Sequence, residues 1–277
     1  MKTRHNDSYE NDPTPSRTVI ERYRAVVRQE DAEASLTLVS YRGGEEEFLL
    51  GVEYCQSADP LDRAVGADVL AQLGWFDQTF LEESVDILIP LLDDSDPYVV
   101  YCAAVALGHR SHGRAIPYLI RHANHDDPLI RYGVVYGLCG HEDPDAIAAL
   151  IGLTADEDHD VRNWAVFGIG SQIDADTPEI REALFAALKD ADMEVRGEGL
   201  VGLAKRKDPR AKTAILDEWK LEEISILSIE AAEELGDPDL LESLHKLQYT
   251  FDLEEDSYCR SKLHAAVAAS GLFTSGR

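Results

Sequence analysis

Several features that usually accompany catalysis or metal binding are missing from this 277-residue chain. Its four cysteines, Cys55, Cys102, Cys139 and Cys259, form no CxxC pair, so neither a zinc site nor a disulfide framework is indicated and buried thiols are expected. The sequence has no GxxxxGKS/T, GxSxG or HExxH motif. We therefore expect no catalytic residues, no cofactor and no bound metal ion.

Long apolar runs and basic residues are also scarce. No segment approaches the roughly 20 apolar residues that a membrane span needs, and the first residues, MKTRHNDSYENDPTPSR, lack the apolar stretch of a secretory signal. The chain has 26 lysines and arginines but 53 aspartates and glutamates, which gives a formal net charge of -27 at pH 7. Because this charge repels phosphate groups, nucleic acid and anionic membranes are poor partners. Since neither a membrane span nor a secretory signal is seen, the cytoplasm is the expected location.

What the chain contains instead is one short segment, repeated. Its copies are DPLDRAVGADVLAQLG from Asp59, DPYVVYCAAVALGH from Asp96, DPLIRYGVVYGLCG from Asp127, HDVRNWAVFGIG from His159 and MEVRGEGLVGLA from Met193. We call Arg63 the zero position of the first repeat. The later repeats have Val100, Arg131, Arg162, Arg196 and Ser228 there, at steps of 37, 31, 31, 34 and 32 residues. A period of this length is typical of stacked helical hairpins.

The spacing within each copy predicts how the helices pack. Apolar residues recur three, four and seven residues after the zero position, which places them on one helical face. The sixth residue is mostly small, as at Gly137, Gly168 and Gly202, and this favours close helix approach. A turn rich in Gly, Asp and Pro and a second amphipathic segment follow, and such hairpins must stack to bury their apolar faces. We predict an all-α fold, an α-solenoid (superhelix) of about six helical hairpins with helical caps.

The composition along the chain suggests four segments. We expect a disordered tail over 1–16, an N-terminal helical cap over 17–58, the repeat array over 59–256, and a C-terminal half-repeat and tail over 257–277, with Arg260 at the zero position. Within the cap, Thr18 and Glu21 predict a capping box that opens a helix through about Val39. Gly43 and Gly44 should end it.

The pattern D-P-x-V-R-x-x-A-A-x-A-L-G resembles the HEAT-like repeats of the phycobilisome-lyase family, over roughly Asp59 to Asp256. The resemblance implies that the helix with the zero position lines a concave face, and that Arg63, Arg131, Arg162 and Arg196 pair with aspartates at the repeat junctions. It implies no single function, because such repeats serve many tasks. The related deoxyhypusine hydroxylases bind iron through helical His-Glu pairs, whereas His141-Glu142 here falls in a turn.

The outward positions of the helices indicate a candidate site. If positions 3, 4, 6 and 7 face the core, positions 1, 2 and 5 should face outward, and in repeats two to four they are unexpectedly aromatic. We predict a partner-binding surface, the aromatic strip, with an acidic rim; it comprises Tyr101, Tyr132, Tyr136, Asn163, Trp164 and Phe167, with Asp68 and Glu198 on the rim beside Glu230 and Glu233. The alternative is that the repeats pack more tightly and these rings belong to the core.

Charge and aromatic residues together favour one function over three others. We predict a non-catalytic protein-binding module or adaptor that holds a basic protein partner on an acidic, aromatic-lined concave face, for example an immunity or inhibitor protein. The main alternative is a bilin lyase-like chromophore chaperone that stacks a flat ligand on the rings. Charge argues against a DNA glycosylase, and spacing argues against a metal site made of His109, His112, His122 and His125. The sequence leaves the oligomeric state open.

Overall fold

A computed structural model describes residues 12–27, 35–74, 77–221, 223–250 and 257–271 of the chain. These residues form sixteen α-helices and two short 3-10 helices, and no β-strand occurs among them, so the predicted all-α solenoid class of helical hairpins is confirmed. No helix in this part of the chain combines the length and the apolar composition needed to cross a membrane. The chain divides into two compact units, Met1–Leu138 and Cys139–Arg277.

The first unit contains the N-terminal cap and the first repeats. Its helices are α1 (Ser16–Val26), α2 (Thr37–Arg42), α3 (Glu45–Cys55), α4 (Pro60–Gln72), α5 (Leu81–Leu91), α6 (Pro97–Arg110), α7 (Ile116–Ile120) and α8 (Pro128–Leu138). The helices that carry the zero position, α4, α6 and α8, pack side by side, and α3 packs against α4. The second helices of the hairpins, α5 and α7, pack against α6 and α8.

The second unit repeats this arrangement. Its helices are α9 (Pro144–Leu153), α10 (His159–Ser171), α11 (Pro178–Ala187), α12 (Met193–Lys205), α13 (Ala211–Glu218), α14 (Ile226–Leu235), α15 (Leu241–Thr250) and α16 (Ser257–Gly271). The helices α10, α12, α14 and α16 pack side by side. The second helices lie against them: α11 contacts α10 and α12, α13 contacts α12 and α14, and α15 contacts α16.

Aspartates fix where most of the zero-position helices begin. The side chain of each N-cap aspartate accepts a hydrogen bond from the backbone N–H two residues later, at 2.8–3.0 Å; these residues are Asp59, Asp96, Asp127, Asp158 and Asp192. Each cap satisfies a donor that the helix itself leaves unpaired and contributes about 1 kcal/mol. The Asp-Pro pairs at three of these starts also place proline at the first helical position, where its missing N–H costs nothing.

Small residues at position 6 allow the helices to approach closely, as the sequence predicts. A Cβ atom added to Gly202 on α12 would lie 2.8 Å from Cα of Gly170 on α10. On α8, a Cβ atom at Gly137 would lie 2.9 Å from the carbonyl oxygen of Ala104 on α6. Both distances are too short for a side chain, so the contact requires glycine although glycine costs a helix about 1 kcal/mol relative to alanine.

Two largely buried arginines ten residues after the zero position join consecutive repeats. Arg110 at the end of α6 donates to the carbonyl oxygen of Leu73 (2.6 Å) and to that of Thr79. Arg206 after α12 donates to the carbonyl oxygens of Ile169 (2.7 Å) and Gly170 (2.9 Å) at the end of α10, and to two more in the connection that follows. Burial lowers the pKa of both guanidinium groups, and the ring of carbonyl oxygens compensates part of the cost of burying the charge.

The N-terminal cap differs from the prediction of one helix from Thr18 to about Val39. Helix α1 begins at Ser16 without a side-chain cap and ends at Val26, and α2 begins separately at Thr37, so the predicted capping box is wrong. The glutamate that reaches back to an N-terminal N–H is Glu47, whose Oε2 accepts from Gly44 at 3.0 Å. Gly43 ends α2 in a left-handed conformation, φ 52°, as a helix terminus favours.

The predicted disordered tail falls mostly outside the described residues, because the description starts at Asp12. From there the backbone is tied to α2: the guanidinium of Arg42 donates to the carbonyl oxygens of Asp12 (2.7 Å) and Thr14 (2.8 Å). At the other end, α16 packs against α14 and α15. The residues after Gly271, which the sequence assigns to a tail, also lie outside the description.

Candidate partner-binding surface

The arginines at the zero position are used inside the fold. Arg63 forms a two-point ion pair with Asp94 of the next junction, with N–O distances of 2.7 and 2.8 Å, and Arg162 pairs in the same way with Asp190, at 2.7 and 3.1 Å. These pairs hold the pKa of both carboxyls below the usual range. Arg196 departs from the pattern and pairs with Glu218 on α13. The charge of each of these three arginines is therefore compensated inside the fold.

The junction between the second and third repeats lacks this ion pair, because both of its members are replaced. The zero position of the second repeat is Val100, and the residue six before the next zero position, where Asp94 and Asp190 lie in other repeats, is His125. The imidazole still accepts the backbone hydrogen bond of the turn. Nδ1 of His125 accepts from the backbone N–H of Asp127 at 2.9 Å, as Oδ1 of Asp94 accepts from that of Asp96. The repeat register of the sequence contains the signal for this paired exchange, since Val100 and His125 both depart from the residues at their positions in other repeats.

In the first unit, the predicted rings lie together on α6 and α8. The ring centroids of Tyr101 and Tyr132 are 6.2 Å apart, and Tyr98 lies 6.0 Å from Tyr101 on the same helix. Further along, the hydroxyl of Tyr136 lies 3.3 Å from Nε2 of His109. All five side chains are partly exposed. Tyr98 and His109 extend the strip beyond the prediction, and the spacing 98, 101, 105, 109 is the signal that could have found them.

In the second unit, the predicted residues lie on α10. Trp164 and Phe167 meet edge to face, with centroids 5.5 Å apart, and both are partly exposed. Asn163 donates from Nδ2 to Oε2 of Glu194 on α12, at 3.4 Å, while its Oδ1 is buried without a hydrogen-bond partner among the described residues. The rings thus offer apolar surface on α10, and the amide oxygen beside them is buried.

The expectation that positions 1, 2 and 5 all face outward is partly wrong. At position 2, Cys102 is only 3% exposed and Gly133 is buried as well. A Cβ atom on Gly133 would lie 3.2 Å from Ala104 and from Tyr101, so α6 covers this position of α8. Positions 1 and 5 are where the partly exposed rings of the first unit lie. The rings are therefore neither fully outward, as predicted, nor sealed in the core.

Asp68 on the acidic rim is covered by the N-terminal helix, which the sequence did not indicate. Its carboxylate accepts a hydrogen bond of 2.9 Å from the hydroxyl of Tyr23 on α1. Burial raises the pKa of Asp68 to about 7, although this hydrogen bond acts in the opposite direction. Burial and the nearby carboxylate also raise the pKa of Tyr23. Asp68 is therefore an internal contact of the first unit.

The rest of the rim consists of carboxylates on α12 and α14. Burial and the charge of Glu230 raise the pKa of Glu198 to about 7. Glu230 and Glu233 each lie 3.5 Å from the ammonium group of Lys262 on α16, and Glu230 also accepts a hydrogen bond from Tyr258 at 2.6 Å. Glu198 is thus the rim residue best placed to gain from a cationic group of a partner.

The histidines singled out by spacing serve as caps and ion-pair partners. Nε2 of His112 lies 3.0 Å from Glu82, and its Nδ1 accepts from the N–H of Arg114. The ring centroids of His122 and His125 are 6.4 Å apart. Within the described parts of the chain, the one group of three side chains close enough to share a metal ion is elsewhere, at Asp158, His159 and Asp160, on an exposed helix start.

Comparison with known proteins places the chain in a family. A family model described as HEAT repeats matches residues 52–139, 85–170 and 147–236, which together span most of the chain. Protein YibA of Escherichia coli strain K12 is 31% identical over 230 residues, covering 80% of this chain and 81% of its own length, and the YibA protein of the O157:H7 strain matches equally.

A solved structure shares the fold. The X-ray structure of the Escherichia coli YibA protein has a TM-score of 0.66 with 24% identity and covers 97% of this chain and 98% of its own. The complex of CpcE and CpcF of phycocyanin lyase from Nostoc has a TM-score of 0.47 with 17% identity, covering 97% and 99%, a likeness too low to bear on function. With hairpins of this geometry, matches over more than half its length and a relative at 31% identity, the chain belongs to the HEAT-repeat family.

Proposed function

We propose that this protein is a non-catalytic binding module that holds a basic protein partner on the aromatic strip. The observation that supports the proposal most is the partial exposure of rings on helices whose outer face would otherwise be expected to carry charge, namely Tyr98, Tyr101 and Tyr132 on α6 and α8. Rings held in place by neighbours lose little entropy on binding and are common anchors of interfaces. No reaction is needed to account for them.

The charge of the chain supports a basic partner. A net charge of -27 produces a negative field that accelerates the approach of a cationic protein and disfavours an anionic one. Once the partner is bound, rim carboxylates such as Glu198 lie beside its basic side chains, while the rings bury apolar surface. An immunity or inhibitor protein in the cytoplasm, which neutralises a basic toxin or enzyme by covering it, is the concrete form of this proposal.

A pull-down with matched variants tests the proposal. The full chain, Tyr132→Ala and Trp164→Ala are each incubated with native lysate, and retained proteins are identified and ranked by isoelectric point. The control is Tyr118→Ala on α7, which removes an exposed tyrosine (39% exposed) from a second helix of a hairpin. We expect wild type and Tyr118→Ala to retain the same basic protein, and the other variants to bind it about 30-fold more weakly, because a ring at an interface contributes about 2 kcal/mol.

Two outcomes contradict the proposal. Retention that is equal for all four proteins excludes the aromatic strip as the binding surface. An acidic or nucleic-acid partner contradicts the charge argument. A folded-state check by circular dichroism on each variant separates loss of binding from loss of structure.

The alternative function, a bilin chaperone, has one observation in its favour. Trp164 and Phe167 present two flat, partly exposed surfaces on which a linear tetrapyrrole could stack. Addition of bilin at micromolar concentration should then quench tryptophan fluorescence in wild type and not in Trp164→Ala. An unchanged spectrum sinks this alternative, and it leaves the net charge of -27 unexplained in any case.

A further inference from the structure

Helix α1 is a basic, amphipathic segment already seated on the outer face of the first repeat. Its apolar side, Val19, Ile20 and Tyr23, packs into the core cluster that α3 and α4 form. Its arginines reach carboxylates on either side, since Arg17 pairs with Glu53 at 2.7 Å and Arg24 pairs with Asp59 and Asp62. The chain thus contains an example of what this face binds.

The contact of Arg24 uses the second oxygen of a helix cap. Oδ1 of Asp59 accepts the backbone N–H of Leu61 at the start of α4, and Oδ2 accepts from Nη2 of Arg24 at 2.5 Å. One aspartate therefore starts a helix and anchors a guanidinium group at the same time. A carboxylate can do this because it offers four acceptor sites, of which the cap uses one.

The next two repeats present the same anchor unoccupied. Asp96 and Asp127 lie four residues before their zero positions, as Asp59 does, and Oδ1 of each caps a helix, at 2.9 and 3.0 Å. Their Oδ2 atoms accept no hydrogen bond from the described residues. Two carboxylate oxygens in register with the anchor of Arg24 are therefore available on α6 and α8.

The aromatic strip lies on the helix next to the one that holds α1. Helix α1 packs against α4, and α4 packs side by side with α6, which carries Tyr98. From Tyr98 the rings continue to Tyr101 at 6.0 Å and to Tyr132 at 6.2 Å. An apolar surface and two free anchors thus extend the seat of α1 across the second and third repeats.

We infer that the partner segment bound by the first unit is an arginine-bearing amphipathic helix that lies beside α1, with guanidinium groups on Oδ2 of Asp96 and Asp127 and its apolar side on Tyr98, Tyr101 and Tyr132. This inference rests on the proposed function and specifies the partner's chemistry. We infer a helix because the segment bound at the equivalent position of the first repeat, α1, is itself a helix. Arginine is the basic residue because a planar guanidinium suits a carboxylate that has one oxygen already engaged.

The probe for the test is a synthetic peptide with the sequence of residues 14–27, TPSRTVIERYRAVV, and its binding to the full chain is measured by fluorescence anisotropy. A second peptide has glutamine in place of its three arginines. Binding is compared between the wild-type chain and a double variant, Asp96→Asn with Asp127→Asn, because asparagine keeps the helix cap and removes the charge. The matched control carries Asp158→Asn with Asp192→Asn, which makes the same change at equivalent caps of the second unit.

We expect the arginine peptide to bind and the glutamine peptide not to bind. Asp96→Asn with Asp127→Asn should weaken binding about tenfold, as the loss of two solvent-accessible charge pairs implies, and the control pair should leave it within about twofold. If the two double variants weaken binding equally, the peptide is held by general charge attraction, and the inference is overturned. Loss of binding with Asp59→Asn and Asp62→Asn instead would mean that the peptide replaces α1, which also overturns it.

Failure of this inference is distinct from failure of the proposed function. A peptide that does not bind overturns the arginine-helix occupant, while the pull-down with Tyr132→Ala still tests the strip. A basic protein that is retained equally by wild type and by Asp96→Asn with Asp127→Asn has the same meaning: the strip binds a partner, but the cap aspartates do not anchor it.

Discussion

Replacing Asp68 with asparagine should stabilise the protein at alkaline pH and have little effect at acidic pH. The carboxylate of Asp68 lies between α1 and α4, where burial raises its pKa from the ordinary 3.8 to about 7. Asparagine has nearly the same shape, and its Oδ1 can accept the same hydrogen bond from the hydroxyl of Tyr23, 2.9 Å away. The substitution therefore removes mainly the cost of a buried charge.

The size of the effect follows from the pKa. The folded protein binds this proton more tightly than the unfolded chain, so the free energy of unfolding falls as pH rises from about 4 to about 7 and stays low above that. The slope is about 1.4 kcal/mol per pH unit at most, which gives an upper bound of about 4 kcal/mol. Since protein and water relax around a partly accessible carboxylate, we expect about 2 kcal/mol at pH 8.

Urea unfolding of wild type and Asp68→Asn at pH 8.0, 6.5 and 5.0 measures the effect. The advantage of Asp68→Asn should be largest at pH 8.0 and shrink as pH falls. Asp62→Asn is a control that should change stability in the opposite direction. Burial raises the pKa of Asp62, but hydrogen bonds from Arg24 and Ser57 outweigh it and hold the pKa below its usual range. Removal of this carboxylate should therefore destabilise the protein at pH 8.0. An Asp68→Asn protein that is no more stable than wild type at pH 8.0, or whose advantage is the same at all three pH values, refutes the reasoning.

Two further predictions concern the packing of the second unit. Arg206→Ala should lower the free energy of unfolding by about 3 kcal/mol, because the carbonyl oxygens that its guanidinium binds would be left without donors; a change below about 1 kcal/mol in urea unfolding would contradict this role. Gly202→Ala should cost about 2 kcal/mol, since its Cβ would lie 2.8 Å from Cα of Gly170. Gly152→Ala, whose Cβ meets open space, should instead raise the thermal midpoint slightly; similar midpoints for both would refute the packing argument.

The parts of the fold that depend on local chemistry were predictable. Helix starts at Asp59 and Asp96 follow from a cap and a proline, which act within two or three residues. The repeat register also placed Tyr101 and Tyr132 on neighbouring helices. The repeat register also contains Arg110 and Arg206 at position 10. Their role in joining consecutive repeats becomes clear only from the positions of the carbonyl oxygens that they bind.

The position of α1 was not predictable from the sequence. The bond between Tyr23 and Asp68 joins residues 45 apart, and it depends on how the cap folds back onto the first repeat. The burial of position 2 has a similar origin: Gly133 is buried because Tyr101 and Ala104 of the neighbouring helix fill the space above it. Both depend on the shapes of distant side chains rather than on spacing along one helix.

The exchange at Val100 and His125 has a consequence for how such arrays can be recombined. An arginine in one repeat is matched by an acid in the next, as Arg63 is by Asp94, so the two members of a pair belong to different hairpins. If the hairpin that carries Arg63 were joined to the repeat that begins with His125, an arginine and a histidine would meet at one junction. If the hairpin that carries Val100 were joined to a repeat that begins with an aspartate, that aspartate would have no arginine to pair with. Chimeras of this chain should therefore be joined inside the zero-position helix, just before the zero position, and not at the turn between hairpins. Each module then contains both members of an ion pair, as residues 63–99 contain Arg63 and Asp94.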